Sequence, residues 1–294
     1  CIVFDLTRPG YIGYPIEGFL PPLFVNFIVI VNRYKFLEFL AGMFTQQGFI
    51  KMVSLTKFGK PGFFQQFLQH FQLLAPRIAA GQVARATPDG SMLLLDASSF
   101  AVNPALFGGK LPYDNVTAFT PLGVLALFPN VLVCTPSFEA RSVADVLRLA
   151  RAKPKSLAYA SSGNGSAQHL AGALFEQLAK VELTHVPYRG GGPALNDVMG
   201  GQVPLFFANV ASSLGHIQSG RLRALGVTSR LRSRVLPDLP SLDEAGLKGF
   251  EVLEWNPVLA PAGVPAPVRA RLAAAVRQAL ADPEVLARVR ALGG

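Results

Sequence analysis

Two stretches combine hydroxyls, glycines and a strand-to-helix transition in the order that anion binding requires. The first is Tyr159-Ala160-Ser161-Ser162-Gly163-Asn164-Gly165-Ser166-Ala167-Gln168-His169-Leu170. A strand ends, a loop of Ser, Gly and Asn follows, and a helix opens at Ser166 or Ala167. Free backbone N–H groups and the positive end of the helix then face outward. The glycines let a ligand approach the backbone, and the hydroxyls add donors. The second stretch, His185-Val186-Pro187-Tyr188-Arg189-Gly190-Gly191-Gly192-Pro193-Ala194, repeats the pattern, with Pro193 expected at the first helical position. Two such loops in one α/β domain fall together at the carboxyl ends of parallel strands, where open sheets bind ligands. Two smaller candidates are Asp96-Ala97-Ser98-Ser99 with Asn103-Pro104, and Phe206-Phe207-Ala208-Asn209, each read as a strand end. The plain alternative at each place is a capped helix behind a polar loop.

Other chemistries are poorly supported. Neither GxxxxGK[ST] nor GxGxxG occurs in these loops, so a nucleotide reading is weak. Ser166, His169 or His185, and Asp197 can be written as nucleophile, base and orienter. There is no GxSxG elbow, however, and His169 follows Ser166 by only three residues on the same expected helix. His70, His169, His185 and His216 show no metal-ligand spacing, and His185 at a strand end reads as structural. Asp243-Glu244 reads as solvated helix surface. Two cysteines, Cys1 and Cys134, supply neither a thiolate cluster nor a CxxC motif. Cys134, in the run Val131-Leu132-Val133-Cys134, reads as a small buried hydrophobe.

The elements that must position these loops are legible from Ile78 onward. Helical periodicity covers 142–152, 168–179, 193–199, 210–219 and 267–281. Between them lie β-type runs at 92–95, 130–135, 158–160, 183–186, 204–208, 222–228 and 258–259. Strands alternating with helices imply βαβ units, an α/β class and a largely parallel sheet.

The chain has 294 residues, half of them hydrophobic and only 15% charged, which excludes long-range disorder and accommodates about two domains. Lys and Arg number 27 against 18 Asp and Glu, a net charge of +9 that suits an acidic partner. The densest basic group, Arg221, Arg223, Arg230, Arg232 and Arg234, lacks interleaved aromatics to stack bases, so nucleic acid is disfavoured. The longest apolar stretch, 20–31, contains Pro21, Pro22 and Asn26 and is too short and broken for a helical membrane span. Residues 1–77 are a different text: they hold 13 of the 22 Phe and only two Ala. Within them, 63–71 reads as an amphipathic helix and 24–31 as a strand.

From about Ile78 to Gly294 the chain resembles the substrate-binding proteins of tripartite tricarboxylate transporters, the Bordetella uptake (Bug) family. The resemblance rests on Ala86-Thr87-Pro88-Asp89-Gly90, Leu111-Pro112-Tyr113-Asp114, Phe119-Thr120-Pro121 and Pro129-Asn130-Val131-Leu132-Val133. It continues through the two loops above, His169-Leu170-Ala171-Gly172, Gly200-Gly201-Gln202-Val203 and Leu222-Arg223-Ala224-Leu225. It ends with Leu239-Pro240-Ser241-Leu242-Asp243-Glu244-Ala245-Gly246 and Leu259-Ala260-Pro261-Ala262-Gly263.

The resemblance implies a two-lobed, type II-like periplasmic binding fold of α/β class. Its lobes are joined by two crossovers, a ligand cleft lies between them, and a small carboxylate is held by backbone amides, hydroxyls and waters. It implies export, with a signal peptide ahead of Cys1, and membrane transporter subunits as partners. The chain departs from the family in two places. Residues 1–77 show no Pro-Phe-x-x-Gly-Gly-type loop, and the composition breaks where the resemblance breaks, which favours a misassigned stretch over a rebuilt lobe. Ala208 stands where many relatives have Asp, which favours a plain carboxylate over an amino acid.

The expected lobes are residues 1–126 with 255–294, and 127–254. The expected ligand contacts are Ser161, Ser162, Gly163, Asn164, Gly165, Ser166, His169, Tyr188, Arg189, Gly190 and Asn209 in the second lobe. Ser98, Ser99 and Asn103 are expected to contribute from the first. The expectation is a monomeric, periplasmic, non-catalytic receptor without cofactor or metal; the alternative is a hydrolase or transferase using Ser166 or Ser162.

Overall fold

The computed structural model describes residues 2–5 and 79–294, and the helix and strand expected at 63–71 and 24–31 lie outside these residues. The chain divides into two compact units, Cys1–Leu125 with Asn256–Val289, and Ala126–Trp255 with Arg290–Gly294.

In the first unit β1 (Ile2–Asp5) pairs antiparallel with β2 (Met92–Leu95), and β2 pairs antiparallel with β8 (Leu253–Pro261). The pleat sends alternate side chains of β2 to opposite faces. Leu93 and Leu95 join a core with Val258, Ala260, Val276 and Ala279, the last two from α6 (Ala266–Ala281). Leu94 joins another with Phe100, Phe119 and Leu259. Phe100 lies in α1 (Ser99–Phe107), and the last helix is α7 (Pro283–Ala291).

In the second unit the strand order is β5-β4-β6-β3, with β7 on the other side of β3. These strands are β3 (Phe119–Cys134), β4 (Ala158–Ser161), β5 (Thr184–Pro187), β6 (Leu205–Asn209) and β7 (Arg223–Val227). β4 is parallel to β5 and to β6, whereas β3 runs antiparallel to both β6 and β7. The sheet is therefore mixed, which corrects the expectation of a largely parallel one. Strands β4 to β7 each follow a helix and point one way; β3 is the strand on which the chain enters the unit, and it inserts in the opposite sense.

Both faces of this sheet are covered, so its strands read as nearly unbroken apolar runs. One face places Leu132, Cys134, Tyr159, Leu205 and Phe207 against α2 (Val143–Ala152) and α3 (Ala167–Ala179), which contribute Val146 and Phe175. The opposite face sets Val131, Val133, Ala160, Phe206 and Ala208 against α4 (Gly191–Met199) and α5 (Val210–Gln218). Cys134 is wholly buried, as its apolar neighbours require. Arg223 is a structural cation: its guanidinium donates to the carbonyls of Pro136, Phe138 and Ala140.

Gly172 of α3 packs directly on Tyr159 of β4, and a Cβ there would stand 2.1 Å from Tyr159 Cε2. Gly172→Ala gains about 1 kcal/mol of helix propensity and sets against it overpacking of about 1–3 kcal/mol, at the upper end for so hard a clash. Net destabilisation of about 1–2 kcal/mol is expected in urea unfolding, and an unchanged or raised midpoint contradicts this packing.

Candidate anion-binding site

Because β4, β5 and β6 are parallel, their carboxyl ends and the helices that follow them open at one edge of the second unit. Ser166 caps α3: its Oγ accepts the His169 amide at 3.2 Å and donates to Gly163 O at 2.7 Å. Gly165 takes a φ of +77°, and its amide donates to His169 Nδ1 at 3.1 Å. Ser161, fully buried, accepts the Gly163 amide at 3.1 Å and lies 2.7 Å from His185 Nε2. Two backbone bonds join the second loop to the first: Tyr188 N to Ser161 O at 2.9 Å, and Gly190 N to Ser162 O at 3.1 Å.

The second loop turns into α4 at Gly190, with φ +95° and no capping side chain. The left-handed turn starts the helix at Gly191, so Pro193 occupies the third helical position and not the first, as expected. A Cβ at Gly190 or Gly192 would meet open space, and one at Gly191 would come no nearer than 3.5 Å to Ser162 Oγ. First-turn amides have no carbonyl four residues back within their own helix. Those of Gly191 and Gly192 thus lie where no side chain crowds the backbone; Ala167 and Gln168, in the first turn of α3, are buried. The third helix end is closed by its own residues, since Asn209 caps α5 by accepting the Ala211 amide at 2.9 Å.

Two stacked imidazoles underlie the first loop. The His169 and His185 rings are 4.1 Å apart and 14° from parallel, and Tyr159 stacks on His185 at 5.0 Å. Burial, then the neighbouring His169, pushes the His185 pKa down to about 4; burial lowers that of His169 as well, against the pull of Glu176. Both rings are neutral at pH 7. The Tyr188 hydroxyl donates to Asp197 Oδ2 at 2.7 Å, and burial followed by that carboxylate pushes its pKa up to about 12.

This network dismantles the triad written from the sequence. Ser166 Oγ bonds the backbone and not a ring nitrogen, His169 Nδ1 is taken by an amide, and Asp197 is taken by Tyr188. Among the described residues the serine–imidazole contact is Ser161 with His185, and it places the hydroxyl where solvent does not reach.

The structure brings Ser161, Ser162, Gly163, Gly165, Ser166, His169, Tyr188 and Gly190 into one hydrogen-bonded edge, with exposed Asn164 at the loop tip and half-buried Arg189 in the turn. Asn209 joins through residues the sequence reading missed: Glu254 Oε2 accepts from Asn209 Nδ2 and from Gln168 Nε2, both at 3.0 Å, and Gln168 Nε2 also reaches Asn130 Oδ1 at 3.3 Å. Ser98, Ser99 and Asn103 lie in the first unit, at and within the start of α1, with Ser98 and Asn103 buried. Beside them, burial raises the pKa of Asp96, whose Oδ1 accepts the Ala97 amide while Oδ2 has no partner among the described residues.

This two-unit α/β architecture, with helices opening at the ends of parallel strands, is that of the periplasmic-binding-protein fold. The chain belongs to the tripartite tricarboxylate transporter receptor family, whose model matches residues 75–292. It is 41% identical over 217 residues to the UPF0065 protein of the tcbD–tcbE intergenic region of Pseudomonas sp. strain P51; the match covers 74% of this chain and 64% of that relative, less than two thirds of its length. Among solved structures it resembles the periplasmic binding protein BugD (35% identity, TM-score 0.67, covering 74% of this chain and 72% of that one). It also resembles R. palustris Rpa4515 with adipate (32%, 0.69, 81% and 84%) and MatC from Rhodopseudomonas palustris with bound malate (29%, 0.66, 81% and 86%).

Replacing Ser161 by Ala removes the partner of the half-buried Gly163 amide and of His185 Nε2. A loss of about 1–3 kcal/mol in chemical unfolding is expected; wild-type stability contradicts the assigned network.

Proposed function

We propose that this protein is a periplasmic receptor that captures a small organic carboxylate and delivers it to the membrane subunits of a tripartite tricarboxylate-type transporter. It acts as a monomer and does not turn its ligand over. One observation carries the reading: the glycine-lined, uncapped N-terminus of α4, bonded through Gly190 and Tyr188 to the loop that opens α3. Two similar structures hold adipate and malate, both dicarboxylates, which supports the ligand class.

The magnitudes favour backbone donors acting together. A helix end contributes about 0.3–1 kcal/mol to an exposed anion and up to about 2 kcal/mol to a partly buried one. Two ends fall short of the roughly 8 kcal/mol of a micromolar complex. Charge-assisted bonds of about 1.5–3 kcal/mol each, from amides fixed before the ligand arrives, supply the difference. The ligand's own charge is matched by these amides, and Ala208, wholly buried, offers no acid for an ammonium group. A plain or hydroxylated dicarboxylate is therefore preferred over an amino acid.

Calorimetry with malate, succinate, adipate and aspartate tests the ligand class: one of the plain or hydroxylated acids should bind with a micromolar Kd, and aspartate more weakly. Gly165→Val, which puts a β-branched residue at positive φ, should abolish binding without unfolding the protein, whereas Arg189→Ala should weaken it less. Normal binding by Gly165→Val places the cradle elsewhere.

A further inference from the structure

The start of α3 resembles a capping box with one substitution of chemistry. In that motif the N-cap hydroxyl accepts the amide three residues on, and a Glu or Gln at that third position reaches back to a backbone N–H. Here Ser166 Oγ accepts the His169 amide, but the side chain that reaches back is an imidazole, and the amide it takes is that of Gly165, one residue before the cap. A glutamate there would put a full negative charge beside amides that must receive an anion. A neutral imidazole accepts the same hydrogen bond without that repulsion.

We propose that His169 is the positioning residue of the anion loop: its Nδ1 is the uncharged acceptor that fixes Gly165 and hence the first-turn amides of α3, and a proton on Nδ1 releases them. The proposal rests on the carboxylate-receptor reading for its effect on affinity, and on the loop geometry alone for its effect on Gly165.

The surroundings favour the uncharged ring. His185 on β5 lies flat against it at 4.1 Å, with Tyr159 of β4 on the far face of that stack. His185 Nε2 is engaged by Ser161 Oγ at 2.7 Å, and a second positive charge in the stack would repel the first. On α3 itself Glu176 is the one group that favours a charged His169, but its Oε1 is already bound to the Leu183 amide. Strand β6, which also packs against α3, contributes no titratable side chain. Because folding lowers the His169 pKa, the unfolded chain takes the proton first. The loop is intact above the ordinary histidine pKa of about 6.5 and is lost only as pH falls through the lower pKa that His169 has in the folded protein.

The test combines imidazole nitrogen NMR on the ligand-free protein with malate, succinate and adipate calorimetry on His169 variants. At pH 8, His169 should show an unprotonated, hydrogen-bonded Nδ1 and a protonated Nε2. On acidification the Gly165 amide resonance should shift in step with the His169 ring. An Nδ1–H tautomer, or a Gly165 amide indifferent to His169, overturns the proposal whether or not any carboxylate binds. In calorimetry, wild-type affinity should fall about tenfold per pH unit below the His169 titration, the slope of one displaced proton. His169→Asn, whose Oδ1 replaces Nδ1, should keep the pH 7.5 affinity and lose that slope. His169→Asp should hold the loop and bind at least about tenfold more weakly. A His169→Asn variant that binds as poorly as His169→Ala, or His169→Asp equal to wild type, overturns it. If none of the acids binds while the NMR result stands, the receptor reading fails and the loop assignment survives.

Discussion

The architecture of the second unit turns on the fate of a few backbone amides at the ends of its helices. A buried or half-buried amide needs an acceptor, and each helix start brings several that its own carbonyls cannot satisfy. The protein meets this need differently at each strand end. At α5, Asn209 takes an amide and is itself tied to Glu254. At α3, Ser166 and His169 take the amides that set the shape of the turn. At α4 there is no capping side chain. The Gly190 and Tyr188 amides are spent on joining the loop that opens α4 to the loop that opens α3.

That arrangement needs a rigid floor, which the sheet and the aromatic stack provide. Gly172 lets α3 close on Tyr159, Tyr159 carries His185, and His185 carries His169. Each layer is neutral: burial pushes the Tyr159 hydroxyl well above its ordinary range and both imidazole pKa values down. A floor without formal charge places no anion beneath the helix ends, whose positive potential faces this edge together with Arg189. On the proposed reading, direction comes mainly from amides held in place, a preorganised design that lowers the ordering cost of binding.

The features legible in the sequence are those written in local spacing. The β-type run 92–95 coincides with β2, and a helix opening at Ser166 or Ala167 coincides with α3 and its cap, because alternation and capping chemistry act over a few residues. The full length of β3 was not legible, since Pro121 and Pro129 read as breaks and a strand this long requires partners from distant segments. α1 was missed because Ser, Asn and an internal Pro104 blur its periodicity, and the start of α4 was missed because two glycines read as loop. Glu254 gave no signal at all: its partners are 45 and 86 residues away in sequence. His169 was read as a ligand contact from its motif, but which way its ring faces is decided by His185, brought beside it by the pairing of β4 with β5.

The central claim is that the open amides of α3 and α4 receive the carboxylate. Following every backbone amide by NMR while a dicarboxylate is titrated in tests it most directly. The largest hydrogen-bond-type shifts are expected on Ala167, Gln168, Gly191 and Gly192, with Ala211 in the closed cap of α5 moving little. Saturable binding that leaves those four amides unmoved, with its largest shifts elsewhere in the chain, would contradict it.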